Sequence, residues 1–153
     1  MCLPVKPYKV EREWEHAGLK CAVVLAREAG HRCGYVRVPL GHPFHGKGYS
    51  DLDVNVHGGL TFARLEDCKH EDGQGHWFGF DCAHCDDESH DPNIQPEDVV
   101  DAEARAVLEI HRECEAKYPH PYGLALHYWT QLEVERETER LAEQLAAMTV
   151  EAA

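Results

Sequence analysis

The stretch that decides the fold runs from Val54 to Ser89: V-N-V-H-G-G-L-T-F-A-R (Val54–Arg64), a polar loop, then H-W-F-G-F-D-C-A-H-C-D-D-E-S (His76–Ser89). Two runs of strand-forming residues each end in side chains of metal-ligand type. In Asp51–His57 the side chains alternate, with Leu52, Val54 and Val56 against Asp51, Asp53, Asn55 and His57, the pattern of a half-buried strand. Gly58-Gly59 predicts a two-residue hairpin, because both central positions of the favoured tight turn need positive φ. Leu60–Leu65 is then the return strand. Trp77–Cys82 is a third, with Phe78 and Phe80 on one face and Trp77, Gly79 and Asp81 on the other. A meander of these three strands brings His57 and the cluster Asp81, Cys82, His84, Cys85, Asp86 and Asp87 to one end of the sheet. It leaves Cys68 and His70 at the other.

Outward from this centre, Leu19–Arg27 and Arg32–Val38 are rich in β-formers and flank Glu28-Ala29-Gly30-His31, which predicts an N-terminal hairpin. Residues 1–18 read as a loose arm anchored by Trp14. Gly41–Gly48 is a loop by its glycine and proline content and carries His42 and His45, which read as exposed. Pro96 sits where a first helical residue is favoured, and Val100, Ala104, Val107, Leu108, His111 and Cys114 follow at the spacing of one helical face. Tyr118–Gly123 breaks that helix. A second runs from Trp129 to Met148, with Val134, Thr138, Leu141, Leu145 and Met148 on one side. The expected fold is α+β: a small antiparallel sheet, built as an N-terminal hairpin plus a three-stranded meander, with two C-terminal helices on one face. It is read as a single domain over 1–153, with the arm at 1–18, the sheet region at 19–85 and the helical region at 96–148.

Composition bounds the function. A chain of 153 residues with 43% hydrophobic content can bury a sizeable core. Its formal charge of −13, with only 15 Lys and Arg, argues against nucleic acid or an anionic membrane as a partner. No apolar run is long enough to span a membrane, and M-C-L-P-V-K-P lacks the core of a signal peptide, so a cytoplasmic location is expected. Seven cysteines is an odd number, which favours free thiols or metal ligands over a disulfide framework.

The chemical readings remain open at this level. His57, Asp81 and His84 offer two imidazoles and a carboxylate to a divalent metal such as zinc, with Asp87 as a further ligand or general base. A plainer reading has Asp81 accepting backbone N–H groups in the turn after its strand, with His57 or His84 ordering the loop. A third has His57, Gly58, Gly59, Asp81, His84 and Asp87 lining a metal-free small-molecule pocket, the glycine backbone lying close to an anionic group. Cys68-x-His70 with Cys82-x-x-Cys85 has the residue types of a structural zinc site. It conflicts with the meander, whose strands of about 17–20 Å hold the two pairs apart. A redox role for Cys82 and Cys85 lacks the helix N-terminus that lowers a thiol pKa. Trp77, between aromatic neighbours, reads as core. No phosphate-binding glycine loop and no nucleophile elbow is present.

The segments W-E-H-A-G-L-K-C (Trp14–Cys21), G-H-R-C-G-Y-V-R-V-P-L-G-H-P-F-H-G (Gly30–Gly46), V-H-G-G-L-T-F (Val56–Phe62), W-F-G-F-D-C-A-H (Trp77–His84) and V-E-R-E-T-E-R-L-A-E-Q-L (Val134–Leu145) resemble a family of small proteins of unassigned activity encoded by tailed bacteriophages and prophages. That family continues with glycine then aspartate where this chain has Asp86-Asp87, so Asp87 is the matching acid and Asp86 a departure. The resemblance implies a setting, an accessory protein made inside an infected bacterial host cell, and carries no catalytic residues. Three function classes follow. A module that binds a small molecule or metal at the His/Asp cluster ranks first. The alternatives are a metal-assisted hydrolase of a small phosphate-containing molecule and an interaction protein acting on a host protein through its acidic surface.

Overall fold

The computed structural model describes residues 2–5, 9–120 and 126–148. Strands β1 (Lys9–His16), β2 (Leu19–Leu25), β3 (Arg32–Val38), β4 (Phe62–Leu65) and β5 (His76–Asp81) form an antiparallel sheet in the order β1-β2-β3-β5-β4. Two C-terminal helices, α1 (Ala102–Lys117) and α2 (Gln131–Ala147), pack on it. The architecture is therefore α+β, as the sequence pattern predicts. No described helix is long and apolar enough to cross a membrane.

The sheet is seamed at β3 and β5, where glycine and aromatic residues exchange places across the ladder. Phe80 lies opposite Gly34 on one face, and Tyr35 opposite Gly79 on the other. A Cβ on Gly34 would overlap both the Phe80 ring and the Thr138 hydroxyl of α2, and one on Gly79 would overlap the Tyr35 ring. Each bare backbone thus gives a neighbouring ring its seat. Period-two alternation then sorts the remaining side chains into two cores. Cys21, Val23, Val36, Val38, Phe78 and Phe80 pack under Val134, Leu141, Ala142 and Leu145 of α2. Ala22, Val24, Cys33, Tyr35 and Trp77 pack under Leu3. Full burial of a Phe78 or Phe80 side chain contributes roughly 1.5–3 kcal/mol. Helix α1 packs through Ala104 and Leu108 onto Val99, just before it in the chain, and onto Ala29 of the β2–β3 turn.

Both helices start later than the spacing predicts, each just after a capping side chain. Thr130 and Glu133 form a reciprocal capping box on α2, so that helix begins at Gln131, not Trp129. Asp101 caps α1 by accepting from the Ala104 amide at 2.8 Å. Pro96 opens a 3-10 turn (Pro96–Asp98) instead of the helix, which leaves Val100 exposed and off the apolar stripe. Helix α1 ends at Lys117. Of the predicted breaker, Pro121, Tyr122 and Gly123 lie outside the described residues.

Four expectations are corrected. The N-terminal segment is not a loose arm throughout: Lys9–His16 is an edge strand, joined to β2 by a tight turn in which Ala17 and Gly18 both have positive φ. Trp14 is packed against the core, with the Arg12 guanidinium 4.5 Å over its ring. Asp51–His57 is not a strand. Its alternation does report burial, since Leu52, Val54 and Val56 face the core, but the backbone of Asn55 is bonded by helix side chains in place of a ladder. Gln144 Oε1 accepts from the Asn55 amide at 2.7 Å, and Arg140 donates to its carbonyl at 2.6 Å. The meander thus reduces to the β4–β5 pair. His42 is not exposed: its Nε2 donates to the Leu145 carbonyl at 2.8 Å while its Nδ1 accepts from Phe44, at the sheet end away from Asp81. Finally, Cys2 and Cys68 are joined by a disulfide. The second apolar face draws Leu3 down, Cys2 accepts a hydrogen bond from the Asp67 amide at 3.1 Å, and the two cysteines are carried together.

At that same end lies a buried ion pair. Arg37 reaches both oxygens of Glu66 at 3.0 Å, and Glu66 also accepts from the Gly75 amide and the Trp77 indole. Burial opposes the Glu66 charge, but Arg37 and these donors outweigh it and hold the carboxyl below its ordinary range. With Glu66 at 1% side-chain exposure, Glu66→Ala should cost about 1–3 kcal/mol, read from urea midpoints, by taking the acceptor from the buried Gly75 amide and Trp77 indole, while Asp72, at 2.8 and 3.1 Å, keeps the Arg37 guanidinium paired.

His76 supplies a pH test. Its ring is buried, neither ring nitrogen makes a close hydrogen bond among the described residues, and burial, with His45 beside it, outweighs the Lys47 backbone and holds its pKa below the ordinary 6.5. Above that value both folded and unfolded chains keep the ring neutral. Below it the unfolded chain takes a proton that the folded chain refuses, so stability falls as the pH drops. The urea midpoint should decline between about pH 7.5 and about pH 5.5, and His76→Phe should decline less.

Candidate metal centre

The end of β5 turns back on itself under the control of Asp81. Its Oδ1 accepts from the Ala83 amide at 3.1 Å and its Oδ2 from the Thr61 hydroxyl at 3.2 Å. The chain then passes His84 and delivers Asp87 to a buried position. A single β-bridge between Asp87 and His127 fixes it there, with the Glu88 amide donating to the His127 carbonyl at 2.8 Å.

His57 arrives from a different direction. It occupies a tight turn closed by the Gly59 amide on the Val56 carbonyl at 3.0 Å, so the central residues are His57 and Gly58, one position earlier than the glycine pair suggests. Gly58 has a φ of +67°, and any Cβ there would overlap the His84 imidazole. Glycine is needed at that position twice over, once for the turn and once for the ring. Gly59 also has positive φ, at +80°, but nothing lies within 4 Å of its missing Cβ.

The outcome is a compact set of donors. His57 Nε2 donates to Asp87 at 2.7 and 2.9 Å, His84 Nδ1 lies 3.2 Å from Asp87 Oδ2, and the His84 amide donates to the same oxygen at 3.0 Å. Burial works against the Asp87 charge. The His57 and His84 donors overcome it and hold the carboxyl below its ordinary range, so it is ionised near neutrality. Trp129 stacks on the His57 ring with centroids 4.2 Å apart, and the two imidazoles meet edge to face at 5.3 Å. Asp81 Oδ1 lies 3.6 Å from the other nitrogen of His84.

His57, His84 and Asp87 each present a ligand atom within 4.8 Å of the others, one of three such groups among the described residues. Of the residues singled out in the sequence, the structure brings these three together with Gly58, and sets Asp81 behind His84 as turn acceptor. Cys82 is buried and its thiol pushed up by burial, whereas Cys85 is exposed. The Cys68–His70 and Cys82–Cys85 pairs do not assemble, because Cys68 is bound to Cys2 at the far end of the sheet.

Local sequence pattern does not single out Trp129, whose position reads as a helix start, or a second group, Glu88, His90 and His111. There His111 Nε2 lies 2.8 Å from Glu88 and 3.2 Å from Glu115. Burial and the neighbouring His111 hold the His90 pKa down to about 4. By spacing alone His111 falls on an apolar helix stripe. The signal that could have singled it out is the His111–Glu115 pair four residues apart on one helix face. The third group, Cys2, Cys68 and His70, has its sulfurs committed to each other.

The chain matches no protein-family model, and neither a curated protein nor a solved structure matches it.

The unequal surroundings of the two turn glycines give a test. Gly59→Ala should cost about 1–2 kcal/mol, the ordinary penalty of positive φ. Gly58→Ala should cost more, because it adds the collision with His84, and it should shift the His84 ring resonances in an NMR spectrum. Equal urea midpoints for the two variants would remove the assigned contact.

Proposed function

We propose that this chain is a binding module for a divalent transition-metal ion of the zinc class, held by His57, His84 and Asp87. The observation that carries the reading is the buried Asp87 carboxylate with two imidazole nitrogens from separate chain segments turned onto it at 2.7–3.2 Å. Ligand atoms on a tetrahedral ion with arms of about 2.0 Å stand about 3.3 Å apart, so a small outward movement of His57 makes room for it. Two imidazoles and one carboxylate suit zinc and its neighbours and do not suit magnesium or calcium.

Each surrounding group then has a task. Asp87 stays ionised and needs no proton removed. His57 Nε2 must turn its hydrogen away from Asp87, to the ring's other nitrogen, before it can take the ion, because only a ring nitrogen without hydrogen is a ligand. Asp81, facing the second nitrogen of His84, orients that ring as carboxylates behind metal-bound histidines do. Trp129 fixes the plane of the His57 ring and leaves it little freedom to lose on binding. Three protein ligands leave a fourth position for water or for an anionic small molecule, which unites the metal and small-molecule readings at one place. That open position also favours a second reading, metal-assisted hydrolysis of a small phosphate-containing molecule. The likeness to tailed-phage proteins supports an accessory role in an infected cell.

The test is zinc binding by tag-free protein, followed by equilibrium dialysis with elemental analysis. His57→Ala and Asp87→Asn should each abolish one bound equivalent while circular dichroism stays that of the parent. Asp81→Asn should weaken it about 10–100-fold. Unchanged zinc content in both ligand variants would overturn the proposal.

A further inference from the structure

The loop that carries Asp87 into the first cluster carries its next residues into another. Glu88 reaches α1 and meets His111 Nε2 at 2.8 Å. Two residues on, His90 lays its ring against that of His111, with centroids 4.3 Å apart and planes inclined by 36°. Glu115, one helical turn beyond His111, approaches the same ring nitrogen at 3.2 Å. The ligand atoms of Glu88, His90 and His111 all lie within 4.8 Å of one another.

This arrangement is built into the frame. Arg112, adjacent to His111 on α1, donates to the backbone carbonyls of Asp91 and Ile94 at 2.8 and 3.0 Å, which clips the loop to the helix. The Asp91 amide donates to the Ala29 carbonyl at 2.8 Å, tying the loop to the β2–β3 turn. Beneath, Leu108 and Ala104 of α1 are buried against Val99 and Ala29. Glu88 and His111 are themselves only 13% and 22% exposed at their side chains. The donors are therefore held by packing.

Two carboxyls converge on one imidazole nitrogen, which has at most one hydrogen to give. They also meet each other: burial and the neighbouring Glu88 push the Glu115 carboxyl up, so that a hydrogen is shared between the two, while the His90 amide donates to Glu88 at 3.3 Å. The Arg112 guanidinium nitrogen nearest by sequence is spent on backbone carbonyls, and the Ser89 hydroxyl is at His90 Nδ1, 3.2 Å away. Two carboxyls crowded against each other beside two stacked, half-buried imidazoles are ligands that a cation would draw together in place of the shared proton. Because two of the donors are imidazoles, that cation is of the borderline transition class.

We propose that Glu88, His90 and His111 form a second site for a divalent transition-metal ion, with Glu115 as an additional carboxylate. It is independent of the His57–His84–Asp87 site in every ligand and is joined to it by the Asp87–Glu88 peptide. In an extended segment successive side chains point to opposite sides, which lets these two adjacent acids serve different clusters.

The experiment counts zinc per chain by equilibrium dialysis in tag-free protein with the Cys2–Cys68 bond intact, with folding followed by circular dichroism and urea midpoints. The parent should hold two equivalents. His111→Ala should hold one, His57→Ala one, and the double variant none. Glu88→Gln, which keeps the side-chain shape, should behave as His111→Ala does and guards against simple unfolding of the latter. One equivalent lost in His57→Ala but kept in both His111→Ala and Glu88→Gln would overturn the second site and leave the first standing. One equivalent lost in the latter pair and kept in His57→Ala would support the second site and overturn the first. Two equivalents that survive His111→Ala and Glu88→Gln would overturn the second site, and no zinc in the parent would overturn both.

Discussion

A single buried carboxylate, that of Asp87, ties together the parts of this molecule that come from far apart in the chain. An ion at 2% side-chain exposure is costly unless its hydrogen-bonding capacity is met inside the protein. Here the His57 ring, the His84 ring and the His84 amide meet it. These partners fix two segments, the turn after Val56 and the exit from β5, and the backbone bridge from Asp87 to His127 ties in the approach to Trp129 and α2. Removing the charge therefore takes a shared acceptor from two segments while the backbone bridge to His127 remains, which is why Asp87 is the centre of the proposed site.

The opposite end of the sheet is held by a different device with no evident chemistry. Arg37 and Glu66 form a saturated ion pair under the β4–β5 loop, and the Cys2–Cys68 bond closes the N-terminal segment over the same region. Between the two ends runs the β3–β5 seam. The exchange of glycine and aromatic residues there permits Thr138 of α2 to approach the backbone of Gly34 closely. The seam and the far end are closed by packing and by the Arg37 pairs, and at the His57 end half-buried imidazoles surround the buried Asp87 carboxylate.

Much of this was legible in the residues, for identifiable reasons. Strands β2 to β5 carry enough β-branched and aromatic residues to declare themselves, and the α2 stripe of Val134, Thr138, Leu141 and Leu145 is unambiguous. Strand β1 was not legible because an edge strand protects itself with charge, and K-V-E-R-E-W-E-H reads as a polar arm. Asp51–His57 misled because alternation measures which side is buried and is silent about what bonds the backbone. Within the site, Asp81 and Asp87 stand three residues either side of His84, so spacing alone could not choose between them. The choice is made by the bridge to His127, a contact across 40 residues that local pattern does not carry. The Glu88–His90–His111 group escaped notice for the same reason, since helix spacing assigned His111 to packing before any partner was in view.

The central claim, that two imidazoles and the Asp87 carboxylate converge on an ion, is tested most directly by crystallography of zinc-loaded protein with anomalous data collected at the zinc edge. The account predicts an anomalous peak about 2.0–2.2 Å from His57 Nε2, a ring nitrogen of His84 and an Asp87 oxygen. Zinc-loaded crystals in which the His57 nitrogen remains hydrogen-bonded to Asp87 and no anomalous peak lies between them would contradict it.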